Sequence, residues 1–399
     1  MTERTVKLTS LVSENLLEIG AGRPRSVDPE LPILRVADVL DGRIGPLIQS
    51  SLPETHQQEM RPKVSYPGDI VLTTKGTVGR VAMIPAQGPR FAYSPQLCYF
   101  RPAIGGPLRS QYLYYWFKSS EFWNQARALK SQTDMADFLS LSDIHSLSIR
   151  IPPLGQQIGI GDLLGTLDDK IAVNEHILSH SINLANALYE SSTPDEEFIL
   201  GDVAEIFDGP HATPKKTESG PWFLSISSLN RGLLNLSESA HLSEEDFPRW
   251  IRRVQPQAGD VLFSYETRLG DAALMLPGIR ACLGRRMGLL RTKRPQLAGS
   301  ILLCAYLSKD FQSVIAKRAI HGATVERIPI NNLASWPIKL PSPSRWEELS
   351  GMLSSLSDCI ATRTSENRAL TELRDTLLPQ LLSGRLRVRD AEKIVEDMT

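Results

Sequence analysis

The sequence predicts an α+β fold: two globular domains of one duplicated design, joined by two long helices that pair antiparallel within the chain. An internal repeat is the first observation. Gly68-Asp69-Ile70-Val71-Leu72 followed by Gly79 returns 191 residues later as Gly259-Asp260-Val261-Leu262-Phe263 followed by Gly270. Leu34-Arg35-Val36 with Gly42 answers Leu224-Ser225-Ile226 with Gly232, Glu18-Ile19 with Gly22 answers Glu205-Ile206 with Gly209, and Phe122 answers Phe311. A repeat of this length is a duplicated domain, because solenoid units run about 20 to 50 residues. The second observation is a proline boundary in each copy, Ile149-Arg150-Ile151-Pro152 and Ile338-Lys339-Leu340-Pro341, each followed by a heptad-patterned stretch. The third is a set of short apolar runs between Gly/Pro turns, such as Asp69 to Thr73, Cys98-Tyr99-Phe100 and Val261-Leu262-Phe263, which read as strands beside an amphipathic helix near Tyr112 to Phe122.

In the first helical segment Leu164, Leu167, Ile171, Asn174, Leu178, Ser181, Ala185 and Leu188 alternate at steps of three and four. This is a heptad seam with two polar members. After Pro343 the pattern recurs at Leu353, Leu356, Ile360, Arg363, Asn367 and Leu370, and Leu373, Leu377, Leu378 and Leu381 prolong the apolar face. Glycine terminates helices, so this one is expected to end at Ser383-Gly384. About 36 residues at 1.5 Å each give a rod of roughly 54 Å, too long for a core helix and in need of a partner. The partner is the other copy, with Asn174 and Arg363 at equivalent seam positions to fix register.

The chain has 399 residues, 41% apolar and 22% charged, which is ordinary for globular domains with real cores. No basic segment followed by an apolar run opens the chain, and no stretch approaches the ~20 apolar residues of a membrane span, so a cytoplasmic protein is expected. Cys98, Cys282, Cys304 and Cys359 are scattered without metal-ligand spacing and read as inert thiols. The net charge of −1 conceals a division: residues 1–150 carry +3, 151–197 carry −7, 198–341 carry +5 and 342–399 carry −2. Two mildly basic modules on an acidic frame suit binding to a polyanion.

Catalytic motifs are weak. Glu18-Ile19-Gly20-Ala21-Gly22 looks like the glycine turn that holds S-adenosylmethionine, but Arg23-Pro24-Arg25 follows and the second copy keeps no such pattern, so a strand ending in a turn is the better reading. The chain has no Asn-Pro-Pro-Tyr or Asp-Pro-Pro-Tyr tetrad, and Lys75-Gly76-Thr77-Val78-Gly79-Arg80 lacks the Gly-Lys-Ser/Thr of a P-loop. His176 and His180 lie off the seam with Glu175 wrongly placed for a zinc motif, and His211 and His321 have no Ser or Cys partner. Neither a metal nor a cofactor is expected.

Basic and hydroxyl residues instead recur in equivalent loops. Lys75, Thr77 and Arg80 follow the first Gly-Asp strand; Tyr265, Thr267 and Arg268 follow the second. Arg23 and Arg25 add cations to the first copy, and Lys215, Lys216, Arg252, Arg253, Arg285 and Arg286 to the second. Such side chains serve phosphates and base edges alike.

The repeated Gly-Asp strand, the boundary Pro152-Pro153-Leu154-Gly155-Gln156-Gln157 and the ending Leu377-Leu378-Pro379-Gln380-Leu381-Leu382-Ser383-Gly384-Arg385-Leu386-Arg387-Val388 resemble the DNA-specificity subunit of Type I restriction-modification systems. The resemblance spans residues 15–389, with Gly155-Gln156-Gln157 in place of the usual Glu-Gln after the leucine. It implies a target recognition domain at 1–152, a spacer helix at 153–193, a second target recognition domain at 194–342, and a spacer helix with tail at 343–390. It implies a non-catalytic reader of double-stranded DNA whose domains each take half of a split, asymmetric target. The helices would set the spacer and dock two methyltransferase (modification) subunits, with an ATP-dependent restriction subunit completing the assembly. Three alternatives stay open: the recognition subunit of a bipartite Type II system, a coiled-coil scaffold for proteins, and a methyltransferase resting on Gly20-Ala21-Gly22.

Overall fold

The computed structural model describes residues 4–22, 31–45, 51–52, 63–130, 139–320 and 326–398. Arg23, Arg25 and His321 lie outside the described residues. The chain forms two compact units, one of residues 1–171 with 368–399 and one of residues 172–367.

In unit 1, a four-stranded antiparallel sheet runs in the order Leu17–Ala21, Leu97–Pro102, Ile70–Thr73, Val81–Met83. Leu31–Leu34 lies between antiparallel Ser51–Leu52 and parallel Ala92–Tyr93. Arg4–Lys7 closes against Ser148–Ile151, the strand just before the proline boundary. Ile70, Val71, Leu72 and Thr73 are all buried, which is why this strand reads as a continuous apolar run instead of an alternating one.

Unit 2 repeats this plan and adds a two-stranded ladder of Leu229–Asn230 with Leu233–Leu234. Its four-stranded sheet has the order Ala204–Asp208, Met287–Thr292, Val261–Ser264, Ala272–Leu274. Thr217–Phe223 lies between antiparallel Ala240–His241 and parallel Ala281–Cys282, and Glu196–Ile199 closes against Pro337–Leu340.

The repeated Gly-Asp pair has a structural cause that its sequence pattern did not disclose. Gly68 and Gly259 take φ of +83° and +88°, and each turns the chain so that the next residue points inward. The Asp69 carboxylate meets Arg101 of the neighbouring strand two-pronged, Nε to Oδ1 and Nη2 to Oδ2, both at 2.7 Å. Asp260 meets Arg291 in the same way at 2.8 and 2.7 Å. In each copy the arginine also donates to a backbone carbonyl, of Val64 or Gln255, at 2.9 Å. Each aspartate accepts a backbone amide as well, from Tyr66 or Gln257.

The helix expected at Tyr112 to Phe122 is two helices, Ser110–Lys118 and Ser120–Lys130. Ser119 divides them: its extended backbone ends the first, and its hydroxyl donates to Trp116 and accepts the amide of Phe122. Ser308 does the same between Gly299–Leu307 and Lys309–Arg318. A serine hydroxyl that caps an orphan amide favours a break over a continuous helix.

The central helix covers Leu154–Ser191 and the distal helix Trp346–Leu382. Leu164 and Leu167 join Leu370, Leu373, Leu377 and Leu381 in the core of unit 1, where Asp168 accepts from Arg374 at 2.7 Å and Tyr115 at 2.9 Å. In unit 2, Leu353 and Leu356 pack with Ala185, Leu188 and Tyr189. Asn174 donates to Asn367 at 2.8 Å, and Ser181 faces Cys359, so rising numbers on one helix meet falling numbers on the other. The helices are antiparallel. Leu178 is buried, while Ile171 and Ile360 are half-buried on the seam. Asn174 is wholly buried as expected, but its partners are Asn367 and Glu366, while Arg363 turns to Glu366. Asn174 meets Asn367, one helical turn beyond Arg363.

The distal helix ends where Gly384, at φ +70°, turns the chain, and Leu386 donates back to Gln380. Beyond it a further helix, Val388–Met398, takes the place of an irregular tail and seats Val388, Ala391 and Val395 on the core of unit 1. His176 and His180 are exposed. Burial pushes the Cys282 and Cys304 thiols up to about 12, and Cys98 further. No helix among the described residues is long and apolar enough to cross a membrane.

Two outcomes are expected in equilibrium denaturation. Asp69→Ala leaves Arg101 with Glu18, 3.1 Å away, as its remaining carboxylate, and should cost about 3 kcal/mol, more than any exposed charge substitution in the same unit. Asn174→Leu removes a buried side-chain carbonyl that has no hydrogen-bond partner among the described residues; it should raise the unfolding free energy by about 1 kcal/mol.

Candidate nucleic-acid interface

Both Gly-Asp strands end in a short loop that returns as the next strand. In unit 1 the Thr73 hydroxyl donates to the Thr77 carbonyl at 2.6 Å and accepts the Arg80 amide at 2.9 Å, while Gly76 and Gly79 take φ of +78° and +106°. In unit 2 the Ser264 hydroxyl donates to the Glu266 carbonyl at 2.7 Å, and Thr267 and Gly270 take φ of +69° and +83°. A Cβ on Gly79 would strike the Trp123 ring at 2.4 Å, and one on Gly270 would strike Gln312 at 2.1 Å. The loops therefore rest directly on helices, and glycine is required for that approach. Each loop also touches the turn before the sheet's second strand, Thr74 donating to Gln96 and Tyr265 to Arg286 through their amides.

On this shared frame the sequence-predicted residues separate into groups. Lys75 and Thr77 are exposed at the loop of unit 1, while Arg80 is half-buried and donates to the Val39 carbonyl at 3.4 Å. Arg80 shares a surface hollow of about 280 Å³ with Lys118, Asp41 and Trp123. Lys215, Lys216 and Arg285 are exposed in unit 2. Arg268 pairs with Asp271 at 2.5 Å and Arg286 with Glu266 at 2.7 Å, so neither is an isolated cation. Tyr265 is only 5% exposed and packs into the core, where burial and the nearby Asp208 carboxylate hold its hydroxyl far above the usual tyrosine range. It supports the loop more than it extends from it. The residue just after the strand Val261–Ser264 is drawn into the core, which loop chemistry alone did not reveal.

A second feature was only half legible in sequence. His211, Arg249, Arg252 and Arg253 line a cleft of about 420 Å³ beside Asp208 and Trp250. Asp208 is 3.1 Å from His211 Nε2 and 3.6 Å from Arg253 Nη1. Arg252-Arg253 stood out as a basic pair, but Arg249 and His211 join them only through folding, from 42 residues apart or less in the chain. With guanidinium groups at the rim, an indole beside them and one carboxylate to orient them, the cleft can take a phosphate or a base edge.

Gly20-Ala21-Gly22, the element that invites a cofactor reading, is explained by packing. Gly20 lies against the Tyr99 ring, and a Cβ on Gly22 would fall 1.5 Å from the Tyr93 carbonyl oxygen. Ala21 pairs with Cys98 in the sheet. These small residues permit close approach of backbone and ring.

Comparison with known proteins agrees with this arrangement. Residues 46–180 match the family described as Type I restriction modification DNA specificity domain. The S subunit of the Type I restriction-modification system from M. genitalium is 14% identical, with 96% of each chain covered and a TM-score of 0.57. The HsdS subunit from Thermoanaerobacter tengcongensis is 18% identical over 96% of this chain and 97% of its own, with a TM-score of 0.35. A structure of the type I R-M system solved to explain its complex assembly and conformational transition is 17% identical over 96% and 98%, with a TM-score of 0.41. Residues 46–180 are thus similar to a Type I restriction modification DNA specificity domain, and the whole length shares its fold with the S subunit from M. genitalium.

Proposed function

We propose that each globular unit reads one half of a bipartite, asymmetric double-stranded DNA target, and that the chain performs no catalysis itself. One observation carries the reading: the two units keep one backbone frame, down to the Asp–Arg pair, while the loops on that frame differ in charge and shape. Lys75, Gly76, Thr77 and Arg80 stand where the second copy has Glu266, Thr267, Arg268 and Asp271. A frame held constant under divergent loops gives one docking geometry and two base sequences. Arg25, Lys75, Thr77 and Arg80 serve the first half-site; Lys215, Lys216, Thr267, Arg268, Arg285 and Arg286 serve the second, with Tyr265 beneath them.

The target recognition domains on this reading are residues 1–152 and 194–342. The paired helices, 153–193 and 343–390, fix the unread spacer and dock two modification subunits. Those subunits carry the cofactor and flip the target adenine, and an ATP-dependent restriction subunit completes a cytoplasmic assembly. The decisive experiment co-expresses the chain with its modification subunit in a methylation-free host and maps modified bases across the genome. A split asymmetric motif with a fixed gap is expected; a stable complex that leaves no modified motif would instead support a protein-binding scaffold.

Two substitutions separate reading from positioning. Lys75→Ala is expected to relax the mapped motif in one half only, and equal relaxation of both halves would refute modular reading. Arg285→Ala should weaken binding to all sequences alike and lower the slope of log K against log salt by about 1, the signature of one lost phosphate contact.

A further inference from the structure

The two copies diverge at a pair of touching turns at the end of the four-stranded sheet. The two turns meet through the same backbone hydrogen bond: the Thr74 amide donates to Gln96 at 3.1 Å, and the Tyr265 amide donates to Arg286 at 3.2 Å. The side chains are not. Lys75 and Gln96 of unit 1 stand where unit 2 has Glu266 and Arg286.

In unit 2 these last two form an ion pair, with Arg286 Nε 2.7 Å from Glu266 Oε2 and side chains 35% and 20% exposed. Both turns are also strained. Arg286 and Thr267 each take φ of +69°, a conformation that side-chain-bearing residues avoid, and Thr267 does so where unit 1 has Gly76 at φ +78°. Strain kept at these turns points to a selected function: unit 1 carries glycine where Thr267 stands, and Gln96, in place of Arg286, is not among its positive-φ residues.

The chemistry of the pair narrows that function. A carboxylate on a surface that meets DNA is repelled by phosphates unless it is neutralised, and Glu266 is neutralised by Arg286. It meets the Nε edge of Arg286, and among the described residues neither Nη nitrogen has a hydrogen-bond partner. Two coplanar N–H donors match the O6 and N7 acceptors of guanine in the major groove.

We propose that Arg286 reads a guanine in the half-site of unit 2 and that Glu266 is the residue that positions it. The inference rests on the reading of unit 2 as a DNA-reading module. In unit 1 the two positions hold Lys75 and Gln96 instead; Gln96, exposed, offers the donor and acceptor that match adenine N7 and N6. The two half-sites then differ in base at one equivalent position.

The test uses the full chain assembled with its modification subunits. Binding is measured to a duplex carrying the mapped target and to duplexes with each base pair of both half-sites changed in turn. Arg286→Ala is expected to lose roughly ten- to hundredfold discrimination at one G·C pair of one half-site and none elsewhere. Arg286→Lys, which keeps the charge and the length but not the fork, should lose the same preference. Glu266→Gln should lose part of it at the same base pair, with an unchanged melting temperature, and should add nothing to Arg286→Ala. Equal weakening on all duplexes would make Arg286 a phosphate contact and overturn the proposal. Retained guanine preference in Arg286→Lys, or unchanged discrimination in Arg286→Ala beside a wild type that reads a split motif, would overturn it while leaving the general function intact. A wild-type complex that binds every duplex alike would overturn that function as well.

Discussion

In both halves of the molecule a buried carboxylate is held by a guanidinium across two strands. Asp69 is out of contact with solvent and Asp260 nearly so, and each receives two arginine hydrogen bonds and one backbone amide. An ion that deep is tolerable only when every lone pair is satisfied. The requirement fixes the glycine before the aspartate, the register between the Gly-Asp strand and its neighbour, and the path of the segment whose carbonyl the arginine also takes. Because the pair clamps the start of the strand, the loop at its far end is delivered to one place whatever side chains it carries.

The loops can therefore vary without cost to the fold. Threonine or serine, at Thr73 and Ser264, ties each loop to the strand, and glycine, at Gly79 and Gly270, lets it lie on a helix. Between those fixed points the residues are free to invert their charge. The result is a constant presentation of changing chemistry, which is what a module that reads different sequences needs.

The joins to the long helices show the same economy. The side-chain amide of Gln157 donates to the carbonyl of Pro152 at 2.8 Å, and the indole of Trp346, at the equivalent position, donates to Pro341 at 2.8 Å. Proline ends the strand in each copy, and a buried N–H from the first turns of the following helix satisfies the carbonyl that the strand leaves behind. Different residues meet one geometric demand. Farther along, Arg374 with Asp168 in one unit and Asn174 with Asn367 in the other give the apolar seam its polar fixed points.

Much of this was legible in the chain itself. Duplication, helix seams, proline boundaries and the glycine terminator at Gly384 are local or periodic patterns, and local backbone sterics and apolar periodicity are enough to impose them. Repetition also marks the loops that hold Lys75 and Thr267 as equivalent positions. Other features depend on neighbours that sequence distance conceals. Asp69 finds Arg101 through strand pairing, Asn174 finds Asn367 through antiparallel packing, and Tyr265, just past its strand, packs into the core of unit 2. Arg249 joins His211, and Glu266 joins Arg286, only across folded turns. The sequence by itself determined the elements and their duplication, since those follow from short-range sterics and periodic burial; tertiary structure alone decided which charges meet, since ion pairs obey distance in space.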